Sequence, residues 1–222
     1  MNHTLNGIAL QLPADDRHRL AAICAPVELV AGQRITPAPV QNQEPQVFFL
    51  DGATVSLWIE AGPDHPALAV TLLGHEGMVG FEQLWGSENS LWSARVLTSG
   101  PAHAASASKF RQLLGSSPSL LMAVSQFLWN QTQEIAQLSA RMLLGDIRTR
   151  LALWLHLMRD KSGSDTIPIT HDILARMLGT RRVSITLLAG ELQSEGVLAL
   201  RRGAIHIRDA EALTRLAGLQ QG

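Results

Sequence analysis

Cysteine is almost missing from this chain. Cys24 is the single example in 222 residues, which excludes an intrachain disulfide, a four-cysteine zinc site and a four-cysteine iron–sulfur cluster. Leu20 and Ile23 precede it at helical spacing, so a buried structural thiol is its expected role. No apolar run approaches the roughly 20 residues of a membrane-spanning helix. The opening MNHTLNGIAL has neither a basic region nor a signal-like apolar one. A soluble, cytoplasmic chain with no membrane partner is expected. Catalytic signatures are also missing: there is no P-loop, G-x-G-x-x-G fingerprint, HExxH or nucleophile–base constellation. No enzyme is expected, and no catalytic or metal-ligating residue is assigned. Glu60, Asp64 and His65 lie close in sequence but read as a solvated hairpin tip. Internal repeats and low-complexity segments are absent.

What is present suits one or two globular domains, with 46% hydrophobic and 17% charged residues. The net charge of −1 is unevenly placed. Residues 1–143 hold 7 Lys+Arg and 11 Asp+Glu, whereas 144–222 hold 11 and 8. The C-terminal part therefore carries the sign that attracts phosphate.

The stretch 169–196, ITHDILARMLGTRRVSITLLAGELQSEG, reads as two short amphipathic helices around a turn at Gly179. Ile173, Leu174, Met177 and Leu178 share one face of the first, with the small Ala175 beside them. Thr180 is placed to cap the second helix, which is expected to bury Val183, Ile185, Leu188 and Leu192. Arg181, Arg182 and Ser184 are left outside. This is helix-turn-helix spacing, in which the second helix enters the major groove. Arginine suits that position because its fork donates two hydrogen bonds to guanine O6 and N7. An ordinary helical hairpin with a solvated arginine pair has the same spacing. Behind it, VLAL and AIHI flank Arg201-Arg202-Gly203, which predicts a β-hairpin wing with two arginines at its tip.

Upstream, residues 27–106 change to short apolar or alternating runs separated by turn residues, the pattern of an antiparallel sandwich or barrel. Gly77 to Trp85 interrupts the series as a loop and helical turn. Pro118 opens a long helix in which Leu121, Val124, Leu128, Gln131, Ile135, Leu138 and Met142 alternate at spacings of three and four. That heptad pattern predicts a dimer seam, with Gln131 as its one polar member, although packing on the chain's own β domain would use the same residues. A further helix, 146–158, and the polar linker 161–165 lead to the helix-turn-helix.

In this order the pieces resemble a Crp/Fnr-family transcription regulator, over nearly all of the chain. The most specific match is ITHDILARMLGTRRVSIT with LQSEGVL and RRGAIHI. The resemblance implies an α+β fold with three parts: a cyclic-nucleotide-binding-like β-roll or jelly-roll sensor domain (1–117), a dimerisation helix (118–143) and a winged helix-turn-helix (144–222). It implies a homodimer on double-stranded DNA with pseudo-palindromic sites, and leaves RNA polymerase open as a further partner. Arg182 would read a base beside Arg181 and Ser184, while Thr170, Arg201 and Arg202 would hold phosphates. Gly80, Phe81, Glu82, Trp92 and Ser93 would line the effector pocket.

Two departures from the family pattern stand out. Cyclic-AMP-binding members place an Arg-Ser-Ala triplet at the cyclic phosphate, and here it reads Trp92-Ser93-Ala94. Tryptophan offers no charged fork to a phosphate, and Glu82 is displaced by one residue from its usual place after glycine. Cyclic AMP is not expected to bind in the family's way. Cyclic di-GMP serves some relatives, but no residue here argues for it. In the reading helix, Val183 stands in place of a glutamate and Leu187 in place of a later arginine. Both departures resemble a proteobacterial branch carrying L-G-x-R-R-x-x-[VI]-T. No cofactor is expected: the iron–sulfur sensor is excluded by cysteine count, and His65, His75 and His103 read as loop histidines rather than haem ligands. The alternative reading is a ligand-binding or interaction module whose winged helix docks a protein.

Overall fold

The computed structural model describes residues 6–35, 44–59, 67–85 and 92–219. It divides into two compact units, 1–57 with 73–135 and 58–72 with 136–222. The long helix is thus shared between them rather than standing as a segment of its own.

The first unit opens with α1 (Gly7–Leu10) and α2 (Ala14–Ile23). Along the chain the strands follow as β1 (Cys24–Leu29), β2 (Arg34–Ile35), β3 (Gln46–Leu50), β4 (Thr54–Ile59), β5 (Leu68–Leu73), β6 (Met78–Val79), β7 (Trp92–Thr98) and β8 (Gly100–Ser106), with the end of β4 and most of β5 counted in the second unit. They form two four-stranded sheets, ordered β1-β8-β3-β6 and β2-β7-β4-β5; the pairings of the first are antiparallel. Alternation fills the interior. Val47 and Phe49 of β3, Val55 of β4 and Val96 of β7 are buried in one cluster. Phe110 of α3 (Ala107–Ser116) closes it, with its ring edge-on to Phe49 at 5.2 Å. The segment Phe81–Trp85 is a 3₁₀ turn between β6 and β7. Its approach is fixed from the N-terminus: the buried Asn6 amide is shared among the carbonyls of Leu50, His75 and Gly77 at 2.7–3.1 Å.

Helix α4 (Pro118–Leu144) lays Leu120, Ala123, Val124 and Phe127 into the same core. That corrects the expected seam. Val124 is 2% exposed and Leu138 is buried as well, because both lie on faces that pack within the chain. Leu121 remains open, and Met122, Trp129 and Leu143 are exposed at multiples of seven residues. The apolar strip left on the surface therefore runs one position round the helix from part of the predicted one. Cys24 ends α2 and begins β1, where burial pushes its thiol up to about 11; a thiol so protonated is a poor nucleophile.

In the second unit α5 (Ile147–Ser162) starts at Asp146, whose carboxylate accepts from Thr149 N–H at 2.7 Å. Gly145 lies just past the end of α4. β9 (Thr166–Ile167), α6 (His171–Met177), α7 (Arg182–Ser194), β10 (Leu198–Arg201), β11 (Ala204–Ile207) and α8 (Ala210–Leu216) follow. The wing is a three-stranded sheet, β10-β11-β9. Two-residue β9, before the helices, is invisible to a pattern search that needs several alternations.

Candidate nucleic-acid interface

The turn between α6 and α7 explains how the arginines are presented. Gly179 takes φ +60°, its N–H bonds to the Arg176 carbonyl at 3.2 Å, and the Thr180 N–H bonds to the Ala175 carbonyl at 2.9 Å. These two bonds make a Schellman closure, for which a left-handed glycine is the natural residue. Arg181, not Thr180, is the N-cap of α7, because its carbonyl accepts the first helical bond, from Ile185 N–H at 3.3 Å, and it makes no side-chain cap bond. Val183 departs from expectation as well. It is 68% exposed, on the outer face with Leu187 at 64%, while Ile185, Ala189 and Leu192 take the inner face.

Arg181 and Arg182 are both exposed at the start of α7, and Ser184 is half-buried. A shallow depression beside them is lined by Arg176, Gly179, Thr180, Arg181 and Ser184. Arg201 and Arg202 are exposed at the wing tip, where Gly203 turns the chain at φ +74°. Thr170 caps α6, its hydroxyl oxygen accepting from Ile173 N–H at 3.3 Å. It stays exposed, so its O–H is still free to donate to a phosphate. Three other arginines of this unit are matched by carboxylates: Arg148 by Glu195 at 2.5 Å and Glu191 at 3.5 Å, Arg159 by Asp165 at 2.5 Å, Arg176 by Asp172 at 3.3 Å. Among the described residues, Arg181, Arg182, Arg201 and Arg202 have no such partner. Adding the partial positive charge of the α7 N-terminus gives two outward-facing positive regions.

Two further residues join this site without having been singled out by sequence. His171 Nδ1 lies 3.0 Å from Thr186 Oγ1, and the same hydroxyl donates to the Arg182 carbonyl at 3.0 Å. Burial, and then the Arg182 charge, push the His171 imidazole below its usual value. The spacing of Thr186, four residues after Arg182, is the signal that could have found this link.

Residues 149–216 match the Crp-like helix-turn-helix domain. This region is a Crp-like helix-turn-helix. No curated protein sequence matches the chain. Solved structures share the whole architecture. A CRP-family transcriptional regulator of Thermus thermophilus aligns at 19% identity and TM-score 0.70, covering 86% of this chain and 96% of that one. A CRP/FNR-family regulator from the same organism aligns at 24% and 0.68, covering 87% and 98%. The c-di-GMP responsive global regulator CLP of Xanthomonas campestris aligns at 18% and 0.70, covering 89% and 100%. The fold is therefore that of Crp/Fnr regulators: an antiparallel β core, a long helix and a C-terminal helix-turn-helix.

In the β unit a cavity of about 370 Å³ opens where the effector pocket was expected. Gly80, Phe81, Glu82 and Trp92 line it, together with Phe127, Gln131 and Ile135 from α4. Ser93 does not, because strand alternation turns it away from the face shared by Trp92 and Ala94. Gln131, read from sequence as a seam residue, sits on the cavity wall. Burial raises the Glu82 carboxyl above its ordinary value. Of the histidines expected in loops, His103 instead lies in β8, where its Nδ1 meets Asp51 Oδ2 at 2.6 Å, and His75 is exposed. His65, with Glu60 and Asp64, lies outside the described residues. Among the described residues no cluster of His, Cys, Asp and Glu is arranged to hold a metal ion, and no helix is long and apolar enough to cross a membrane.

Proposed function

We propose that the chain is a DNA-binding transcription regulator acting as a homodimer on pseudo-palindromic promoter sites. One observation carries this reading: the exposed arginines without carboxylate partners among the described residues include those at the start of α7 and at the wing tip. Arg182 reads a base edge, Arg181 and Ser184 lie beside it, and Thr170, Arg201 and Arg202 hold the backbone on either side. The exposed strip Met122, Trp129 and Leu143 on α4 supports pairing of two copies, since large apolar residues in a heptad row favour a helix partner. The β unit is the sensor, and Trp92 at the position of the phosphate-pairing arginine argues against cyclic AMP as its effector.

The deciding experiment is a mobility shift on duplexes from the promoter regions around the coding sequence, in excess random competitor, with sedimentation equilibrium for the mass. Retention of one duplex by a dimer is the expected result. A chain that stays single and treats all duplexes alike would exclude the reading. A second reading, a winged helix that docks a protein, draws on Val183 and Leu187, which give the outer face of α7 an apolar patch. It gains if the same assay shows no duplex retained.

A further inference from the structure

The cavity of the β unit differs from an anion site in every wall. Its sheet side, with the turn that carries Phe81 and Glu82, is built from residues 35–94, a span with no lysine or arginine and seven Asp and Glu. Its helix side comes from α4, whose single basic residue is Arg141, beyond the last lining position at Ile135. An anionic group placed here would meet no cation and would face the Glu82 carboxyl.

The remaining surface has a definite character. Phe81, Trp92 and Phe127 bring three aromatic rings to a wall otherwise formed by side chains such as Leu57 and Leu73. The polar groups include two that offer acceptors, beside Gln131, whose uncharged amide has both a donor and an acceptor. Glu82 supplies carboxylate oxygens. Thr132 donates its hydroxyl hydrogen to the Leu128 carbonyl at 2.8 Å, which leaves its oxygen to accept. The wall is also held firmly. A Cβ on Gly80 would stand 2.5 Å from the Gln46 carbonyl oxygen and one on Gly77 2.8 Å from the Phe127 ring, so backbone and ring are already in contact there.

We infer that this cavity binds a small aromatic molecule that carries an N–H donor and no acidic group, its rings against Phe81, Trp92 and Phe127 and its N–H on Glu82. Pockets of this kind are mostly apolar, with a few polar groups fixing orientation. Partial burial, which raises the Glu82 carboxyl, strengthens a hydrogen bond made there because less water competes. The inference deepens the sensor half of the proposed function. It rests on that reading only for its consequence at DNA, since the binding itself needs none.

The test uses the full chain without DNA, titrated with N-phenyl-1-naphthylamine, a neutral aryl amine whose fluorescence rises in apolar surroundings. One saturable site per chain is expected, undisturbed by millimolar cyclic AMP or cyclic di-GMP. Thr132→Trp, at the exposed rim, should block the site. Glu82→Leu keeps the size but removes the acceptor and should weaken the dye by about tenfold or more, the equivalent of one lost hydrogen bond to a charged group. Circular dichroism of each variant separates loss of the site from loss of the fold. No saturable binding, binding indifferent to both substitutions, or displacement by either nucleotide would each overturn the inference. A chain that binds the dye but no duplex would leave this inference standing and remove the DNA reading.

Discussion

Around the cavity of the β unit, rings and one carboxyl face inward; on the winged-helix unit, arginines face outward from a helix end and a hairpin tip. Both units bury a continuous apolar core. They differ in where polar chemistry is left over. The winged helix pairs several arginines with nearby carboxylates and leaves those at its outer edge without such partners. Its surplus charge thus sits where a polyanion could reach it. The β unit has no basic side chain across 35–94, and its one ionisable cavity group is half-buried. One region is built to meet charge and the other to avoid it.

The largest expected effect tests whether the β unit depends on its interior. Phe110 is fully buried against Phe49, so Phe110→Ala should destabilise by about 3–5 kcal/mol in urea unfolding. A loss of about 0.5 kcal/mol or less, the range of surface substitutions, would mean that this ring is not part of what holds the sheets together. Arg182→Ala makes the contrast. It should leave the melting temperature unchanged and cost about 1–3 kcal/mol in binding the preferred duplex, with selectivity relaxed at one base position. Equal losses on every sequence would make Arg182 a backbone contact only.

A smaller effect is expected at the wing. Arg202→Ala should weaken all duplexes alike and lower the slope of log K against log salt by about 1; an unchanged slope takes the wing off the DNA. The smallest is a pH effect confined to the winged helix. Burial lowers the imidazoles of His156 and His171; at His156 the Asp160 carboxylate offsets part of this and Arg159 adds to it, and at His171 Arg182 adds to it. The unfolded chain then takes up those protons first as pH falls through 6.5, so stability is complete above that value and declines below it. The urea midpoint should be lower at pH 5.5 than at pH 7.5, and the difference should shrink in His156→Asn. A flat midpoint would show that neither imidazole is held neutral by the fold.

Much of the winged helix could be read from residues because its signals are local. Gly179 and Gly203 mark turns that glycine alone takes without cost, and Ile185 and Leu192 keep helical spacing with the buried face. The errors arose where spacing cannot tell inside from outside. Val183 fits the apolar period of α7 yet points away from the core, and Thr180 resembles a cap by residue type although α7 starts one residue later, from Arg181. In α4 a heptad count places Val124 and Trp129 on helical rows without saying which faces the chain's own sheets. The cavity was legible only in part. Phe81, Glu82 and Trp92 are near in sequence, but Phe127 and Ile135 reach the same hollow from a helix more than thirty residues later.

The short strand β9 has one more consequence. It pairs with β11 through Ile167 opposite Ile205 and Thr166 opposite His206, and the Ile207 N–H bonds to the Asp165 carbonyl at 2.8 Å. The segment entering the reading helices is therefore stitched to the segment leaving them. A protease that nicks the exposed Arg202–Gly203 tip would separate β10 from β11 in sequence, yet the severed tail would stay zipped to β9, and the clipped molecule should still run as one particle until denatured.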